Sequence, residues 1–236
     1  MSAIAKKEFR GYFLSPIGYV FCGVMLLLFG FFYYAMVLNT QSTDYIPYIY
    51  SSIFPMMIMF LLPLVTMRTF SEEIRTKSDQ GLLTAPVSVF GIVAGKFLAA
   101  VEMFAIGLAG TLVPALIITF MSQPDWAKIF CTVVGCLLCG AALIAVGNFI
   151  SSLTQSQLVA GIATFGVLMF LFLIGNIAGN VSNAALQNVL NWISFDARFQ
   201  PFTKGVFNLS SIVYFVSVAA VFLFLTARKL ESRRWS

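Results

Sequence analysis

Three places in this sequence have residue types that do chemistry elsewhere. Cys136 and Cys139 form a C-x-x-C, a spacing that serves redox exchange or metal binding in soluble proteins. Gly91-Ile-Val-Ala-Gly95-Lys96-Phe97 looks like a phosphate-binding loop. Glu102 is an acid set well inside an apolar run. The first two fail on inspection. The cysteines are flanked by Val, Leu and Gly, and a metal would need more ligands than two thiols, so they read as small packing side chains. Cys22 and Cys131 sit in similar apolar runs and read the same way. The loop is one residue short between its glycines, and Phe97 stands where a magnesium-binding Ser or Thr is required. There is no histidine, which removes the usual general base at neutral pH and the commonest metal ligand. An intramembrane protease or lipid-modifying transferase needs a positioned base, a nucleophile pair or a metal cluster. The sequence offers none, and no two acids fall in neighbouring apolar runs.

Glu102 therefore poses a question of placement. It lies about 9 Å beyond Lys96 along a helix, and a charge within a membrane must face protein or water and find a partner. Gating or substrate contact is one reading; an ion pair with a neighbouring cation at the inner interface is the other. Asn148 and Asn176 raise the same question more weakly, because amides also serve as hydrogen bonds between helices.

The elements that hold these residues follow from composition. Of 236 residues, 60% are apolar and 10% charged, and the mean hydropathy is +0.94. A soluble domain carries about 25% charged residues, so most of the exposed area must face lipid. Runs of about 20 apolar residues cross the hydrocarbon layer as helices, the only open-ended structure whose backbone satisfies itself there. Six such runs occur, near residues 17–38, 48–67, 91–120, 127–150, 158–178 and 209–227. The fold expected is an all-α, polytopic membrane bundle forming one domain over 1–236. The third run is long enough to begin as an interfacial piece, and Pro114 is placed to kink it. The first run exceeds the core of a cleavable signal and reads as a retained span.

The formal charge is +5, but the basic residues form short strips between apolar runs rather than one clustered face, which argues against a nucleic-acid partner. Lys6, Lys7, Arg10, Arg68, Arg75, Lys77, Lys96, Arg228, Lys229, Arg233 and Arg234 fall on one side, against only Lys128, Arg198 and Lys204 on the other. That asymmetry places both termini in the cytoplasm, as does the even number of spans.

Three connecting segments carry pattern. Residues 1–16 mix Ile4, Phe9, Phe13 and Leu14 with Lys6, Lys7 and Arg10, which suits a helix lying at the inner interface or a plain basic tail. Arg68, Glu72, Glu73, Arg75, Lys77 and Asp79 put six charges of both signs into twelve residues. Thr69 and Glu72 fit a capping box that would start a short helix, Gly81 suits its end, and Pro86 forbids simple continuation. Such a helix suits docking to a soluble partner; a solvated loop helix is the alternative. On the other side, Val181, Ala185, Val189 and Ile193 recur every four residues, predicting an amphipathic helix that Pro201 ends before the last span. Gly91/Gly95 and Gly175/Gly179 are G-x-x-x-G pairs, at a subunit seam or within the bundle.

With those segments in hand, the chain resembles the type 2 class of ABC transporter permeases, especially its gliding-motility-type branch, over nearly its whole length. Met67-Arg-Thr-Phe-Ser-Glu-Glu73, Leu82-Leu-Thr-Ala-Pro-Val-Ser88 and Gly95-Lys-Phe-Leu98 carry the resemblance, followed by Gly205-Val-Phe-Asn-Leu-Ser210, Tyr214-Phe215 and Leu230-Glu-Ser-Arg-Arg-Trp235. Lys77-Ser-Asp-Gln-Gly81 departs from the Gly-Thr-x-Glu stretch and following leucine of many relatives. The resemblance implies an interfacial helix before the first span, a coupling helix in the first cytoplasmic connection, and short external helices before the last span. It implies a plasma-membrane exporter subunit with no enzymatic activity or cofactor of its own. ATP and Mg would be bound by a separate ABC ATPase dimer. A second permease, identical or different and with or without a large external domain, and membrane lipids would complete the assembly. Arg68, Glu72, Glu73, Arg75, Leu83 and Pro86 are then the expected ATPase-coupling residues, and Glu102, Asn148 and Asn176 the candidates for the pathway or its gate. A non-transporting scaffold or sensor on the same fold is the alternative, and the substrate is not legible.

Overall fold

The protein is represented by a computed structural model that describes residues 2–39, 48–77, 88–120, 124–178 and 183–234. Among these the chain is helical throughout, without strands. Helix α1 spans Ser2–Leu14 and α2 Pro16–Tyr33, with Pro16 in the first helical turn, where its missing N–H costs nothing. A π-helical turn, Tyr34–Leu38, extends α2, and another, Ile49–Ile53, leads into α3, Phe54–Thr66. The short α4, Ser71–Thr76, follows. Next come α5, Val89–Gly110, α6, Leu112–Thr119, and the long α7, Trp126–Leu153. Then α8 covers Gln157–Ala178, α9 Ala184–Ile193, α10 Phe195–Thr203 and α11 Leu209–Arg234. Among the described residues six stretches are long and apolar enough to cross a membrane: Pro16–Val37, Ile49–Thr76, Val89–Ile117, Trp126–Leu153, Gln157–Gly175 and Leu209–Arg233.

Helix α7 is the hub, packing against α3, α4, α5, α8, α10 and α11. Its glycines make this possible. A Cβ on Gly140 would stand 2.3 Å from Cε1 of Phe104 on α5, and one on Gly147 2.5 Å from Oγ1 of Thr66 on α3. One on Gly135 would stand 2.6 Å from Cβ of Phe202 on α10. Gly140 and Gly147, two turns apart on one face, and Gly135 on another thus clear room for three neighbours, the device by which helices approach closely where water supplies no drive. The spans of α3, α5 and α7 have 61–67% of their residues buried, and those of α2, α8 and α11 only 17–28%. The first three form an inner layer and the others its flanks.

Helix α1 and the end of α11 reach one end of the bundle, here termed proximal. Phe70, Ile74, Val89, Val93, Ala227 and Leu230 form a small apolar cluster there, tying α4 and the start of α5 to the end of α11. The opposite, distal end carries α9 and α10.

Local detail refines several expectations. The start of the third run, Gly91–Lys96, is buried against its neighbours, and Gly95 admits Ile4 of α1 to 3.0 Å of where a Cβ would stand. Pro114 does interrupt the run, and the break falls at Thr111. A proline ring clashes with the carbonyl four residues back, which is that of Gly110, so the break precedes it. Thr111 is held by its backbone N–H to Leu108 O at 3.1 Å and by a 2.9 Å bond between its hydroxyl and that of Tyr50. The distal amphipathic segment is two helices, because buried Ser194 takes extended backbone and caps α10 by accepting from the Ala197 N–H at 3.2 Å. Pro201 lies inside α10, which ends at Thr203; Gly205 beyond it takes left-handed backbone (φ +79°), and the N–H of Val206 reaches back to Pro201 O at 3.0 Å.

Candidate functional site

The polar chemistry of the proximal end converges on Lys96. It sits eight residues into α5, with its side chain 1% exposed. The ammonium donates to Oε1 of Glu73 on α4 at 2.7 Å, to Oε1 of Glu8 on α1 at 3.1 Å and to the carbonyl of Thr69 at 3.1 Å. It lies 5.4 Å from the centre of the Phe70 ring. All three protons are used, and two carboxylates offset one charge. A buried ammonium demands such satisfaction, because desolvating it costs several kcal/mol unless geometry and hydrogen bonds compensate.

A second fastening comes from α7. Ser151 Oγ accepts from the backbone N–H groups of Phe70 and Ser71, each at 3.2 Å, and donates to Met67 O at 3.1 Å. These are orphan donors at the start of α4, so its cap is supplied by another helix. The expected capping box does not form. Thr69 turns its hydroxyl back to Val65 O at 3.4 Å, which removes it from the cap position. The hydroxyl of Ser71 likewise donates to Met67 O. Helix α4 ends earlier than Gly81, at Lys77, which adopts left-handed backbone (φ 56°, ψ 18°).

Arg68 and Glu72 form a two-pronged pair, Nε to Oε2 at 2.7 Å and Nη2 to Oε1 at 3.1 Å, each half-buried. With Glu8, Tyr12 and Thr69 they line a crevice of about 170 Å³ between α1 and the α3–α4 elbow. Burial pushes the Tyr12 phenol up to about 12, against the Thr69 side chain, so it remains a neutral hydroxyl at physiological pH.

The expected coupling residues therefore divide. Glu73 faces inward to Lys96, Glu72 is braced by Arg68, and Arg75 is exposed on the outer face of α4. Leu83 and Pro86 lie outside the described residues. Glu102 is not paired with Lys96. Six residues along a helix place it about two-thirds of a turn away, on the exposed side of α5, and no ion pair reaches it among the described residues. Asn148 is fully buried, and neither its Oδ1 nor its Nδ2 has a hydrogen-bond partner among the described residues. The side chain of Asn176 lies outside those described. Gly95 and Gly175 face α1 and Ser194 within the chain. Cys131, Cys136 and Cys139 are buried free thiols, Cys22 a half-buried one.

Sequence reasoning missed Lys96, Glu8 and Ser151. Lys96 had a signal, being a cation inside an apolar run, but its partners come from segments 88 and 23 residues away in the chain. Ser151 had none.

Ser151→Ala removes the acceptor of two buried N–H groups, and each such loss costs about 1–3 kcal/mol. Hydrogen exchange should accelerate over Phe70–Ile74 and stay unchanged in the distal half of α7. Uniform acceleration, or none, would show that the serine does not hold the elbow.

Six apolar helices among the described residues, four of them packed on the central α7 or on α5 beside it and all in one bundle, define a multi-pass membrane protein. Residues 33–228 match the family model described as ABC-2 family transporter protein, and the chain belongs to that family. It is a membrane permease component of an ABC transporter, a transport part rather than a catalyst. The match covers α3–α10, α11 as far as Arg228 and only the last residue of α2, leaving α1 and the rest of α2 outside it. A search of curated proteins finds no match to the chain.

Proposed function

We propose that this permease couples ATP hydrolysis by a separate ABC ATPase pair to export across the plasma membrane, with the proximal end and both termini cytoplasmic. Helix α4 is the coupling helix in this reading. The observation that carries it is the double fastening of α4, through Glu73 to Lys96 on α5 and through Ser151 to α7. A push on a free loop would be dissipated. A push on α4 moves α1, α5 and α7 together, because buried hydrogen bonds join all of them.

The ATPase would bind ATP and Mg, and the chain would pair with a second permease, identical or different, to enclose the pathway. The closest kinship proposed is with the gliding-motility-type branch. The ATPase-facing surface is the outer side of α4, with Arg75 at its centre and the Arg68–Glu72 pair behind it. Glu73 serves as the internal strut.

This division sets the test. Reversing Glu73 would place a cation against buried Lys96 and disturb the fold, so Arg75 is the better probe. Arg75→Glu should lower co-purification with the ATPase about tenfold, since an unfavourable charge contact at a docking surface costs on the order of 1.4 kcal/mol or more. Permease stability should stay within about 0.5 kcal/mol of wild type, as for surface substitutions generally. ATPase recovered at full stoichiometry, with unchanged stimulation of hydrolysis, would refute this docking surface.

A further inference from the structure

An elongated cavity lies on a flank of the bundle, between α8 and α11, and reaches up to α9 and α10. Its volume is about 700 Å³, within the about 300–1,000 Å³ typical of ligand sites. Its wall is apolar from Val146, Val167 and Leu171 round to Val213 and Val218. It follows α11 from Leu209 to Phe222, about 20 Å along the helix. One leaflet of a bilayer is about 15 Å deep in hydrocarbon, so the groove is deep enough for an extended acyl chain.

The distal mouth of this groove holds one cation. The guanidinium of Arg198 lies 5.8 Å from the centre of the Trp192 ring and 5.4 Å from that of Tyr214. Its Nη1 donates to Ser210 Oγ at 2.8 Å and its Nε to the Trp192 carbonyl at 3.5 Å. Tyr214 is fixed in turn, donating its hydroxyl to Ile193 O at 2.7 Å. Among the described residues no carboxylate pairs with Arg198, whereas Lys128, at the same end, pairs with Asp125 at 3.4 Å. An arginine held by two rings and a serine, without a counter-anion, is poised for a phosphate.

We infer that this groove binds an anionic phospholipid of the distal leaflet, with one acyl chain between α8 and α11 and the phosphate on Arg198. The depth selects a lipid over a compact solute, and the unpaired cation selects an anionic headgroup over a zwitterionic one. The inference needs only the membrane placement of the chain; it does not depend on coupling to an ATPase.

Trp192 at the mouth supplies the readout. The full chain carrying Trp126→Phe and Trp235→Phe is reconstituted in phosphatidylcholine vesicles with a small fraction of dibrominated phosphatidylglycerol or dibrominated phosphatidylcholine. Bromine quenches indole only at contact. The brominated phosphatidylglycerol should quench Trp192 at least threefold more effectively at equal mole fraction. Arg198→Gln should bring that ratio to one, Arg198→Lys should keep part of it, and Val218→Phe should weaken quenching by both lipids. Equal quenching by the two lipids in the unaltered groove would reduce the site to ordinary annular contact and overturn the inference. So would the absence of quenching by either, which would mean that protein covers the groove, a second copy being the obvious cover. Relief of the preference by inorganic phosphate would reassign the site to a soluble anion.

Discussion

Lys96→Met lowers the stability of the bundle by about 3 kcal/mol, the low end of the range of about 3–5 for breaking one side of a buried pair. Methionine matches the length of the lysine stem and keeps its apolar packing, so the loss is electrostatic. Glu8 and Glu73 are then left facing one another without a cation, and the Thr69 carbonyl without its donor. The value stays at the low end because the two glutamate side chains are 26% and 24% exposed and can recover some water. Thermal unfolding in a single detergent measures the loss. Neutralising all three groups together, as Glu8→Gln, Glu73→Gln and Lys96→Met, should cost less than Lys96→Met alone, since no charge is then stranded. A single Lys96→Met variant as stable as wild type would mean that the ammonium does not join α1, α4 and α5. Added salt should change the wild-type stability little, because screening acts weakly on a pair removed from solvent.

The second large effect belongs to Gly140. A methyl there would stand 2.3 Å from Cε1 and 2.5 Å from Cζ of Phe104. That ring is 1% exposed and caught between Phe21 and Phe54, at centroid distances of 6.5 Å and 6.2 Å, so it cannot swing aside. Gly140→Ala should therefore cost about 1–3 kcal/mol by overpacking, despite the gain in helix propensity, and Gly140→Val more. Phe104→Leu should relieve part of the cost, giving a favourable coupling of about 0.5–3 kcal/mol between the two sites. Strict additivity in unfolding experiments would show that α5 and α7 approach less closely than this.

The membrane bundle was legible in the sequence because lipid imposes a composition, and composition survives without knowledge of contacts. The six apolar runs and the dense charges after the second of them needed no tertiary information. The elbow at α4 shows where such reading stops. Its residues were picked out, but their roles depend on direction: Glu73 points inward and Arg75 outward, two residues apart on a helix too short to display a period. The capping box failed for a related reason: Ser151, eighty residues away, caps the elbow through the Phe70 and Ser71 N–H groups, while the Thr69 hydroxyl turns back to Val65 O. Glu102 drew attention as the charge within an apolar run, yet Lys96, six residues earlier, holds the buried position. Helix rotation alone separates the two. The α9–α10 break turned on Ser194, a residue type too common to signal a cap without the buried site around it.

The two π-helical turns, Tyr34–Leu38 and Ile49–Ile53, stand at the distal ends of consecutive spans. Each holds one more residue per turn than an α-helix would, with every carbonyl passed one place along. Such a surplus residue is slack in the thread. It can travel along a helix by exchanging one bond at a time, turning the residues it passes by about 100° without exposing a bare amide to hydrocarbon. The proximal end, pinned through Lys96 and Ser151, has no comparable slack. Passage of the surplus residue would have a toll at the distal end too, since Ile49 and Tyr50 are fully buried and the hydroxyls of Tyr50 and Tyr33 are bonded to Thr111 and to the Pro114 carbonyl.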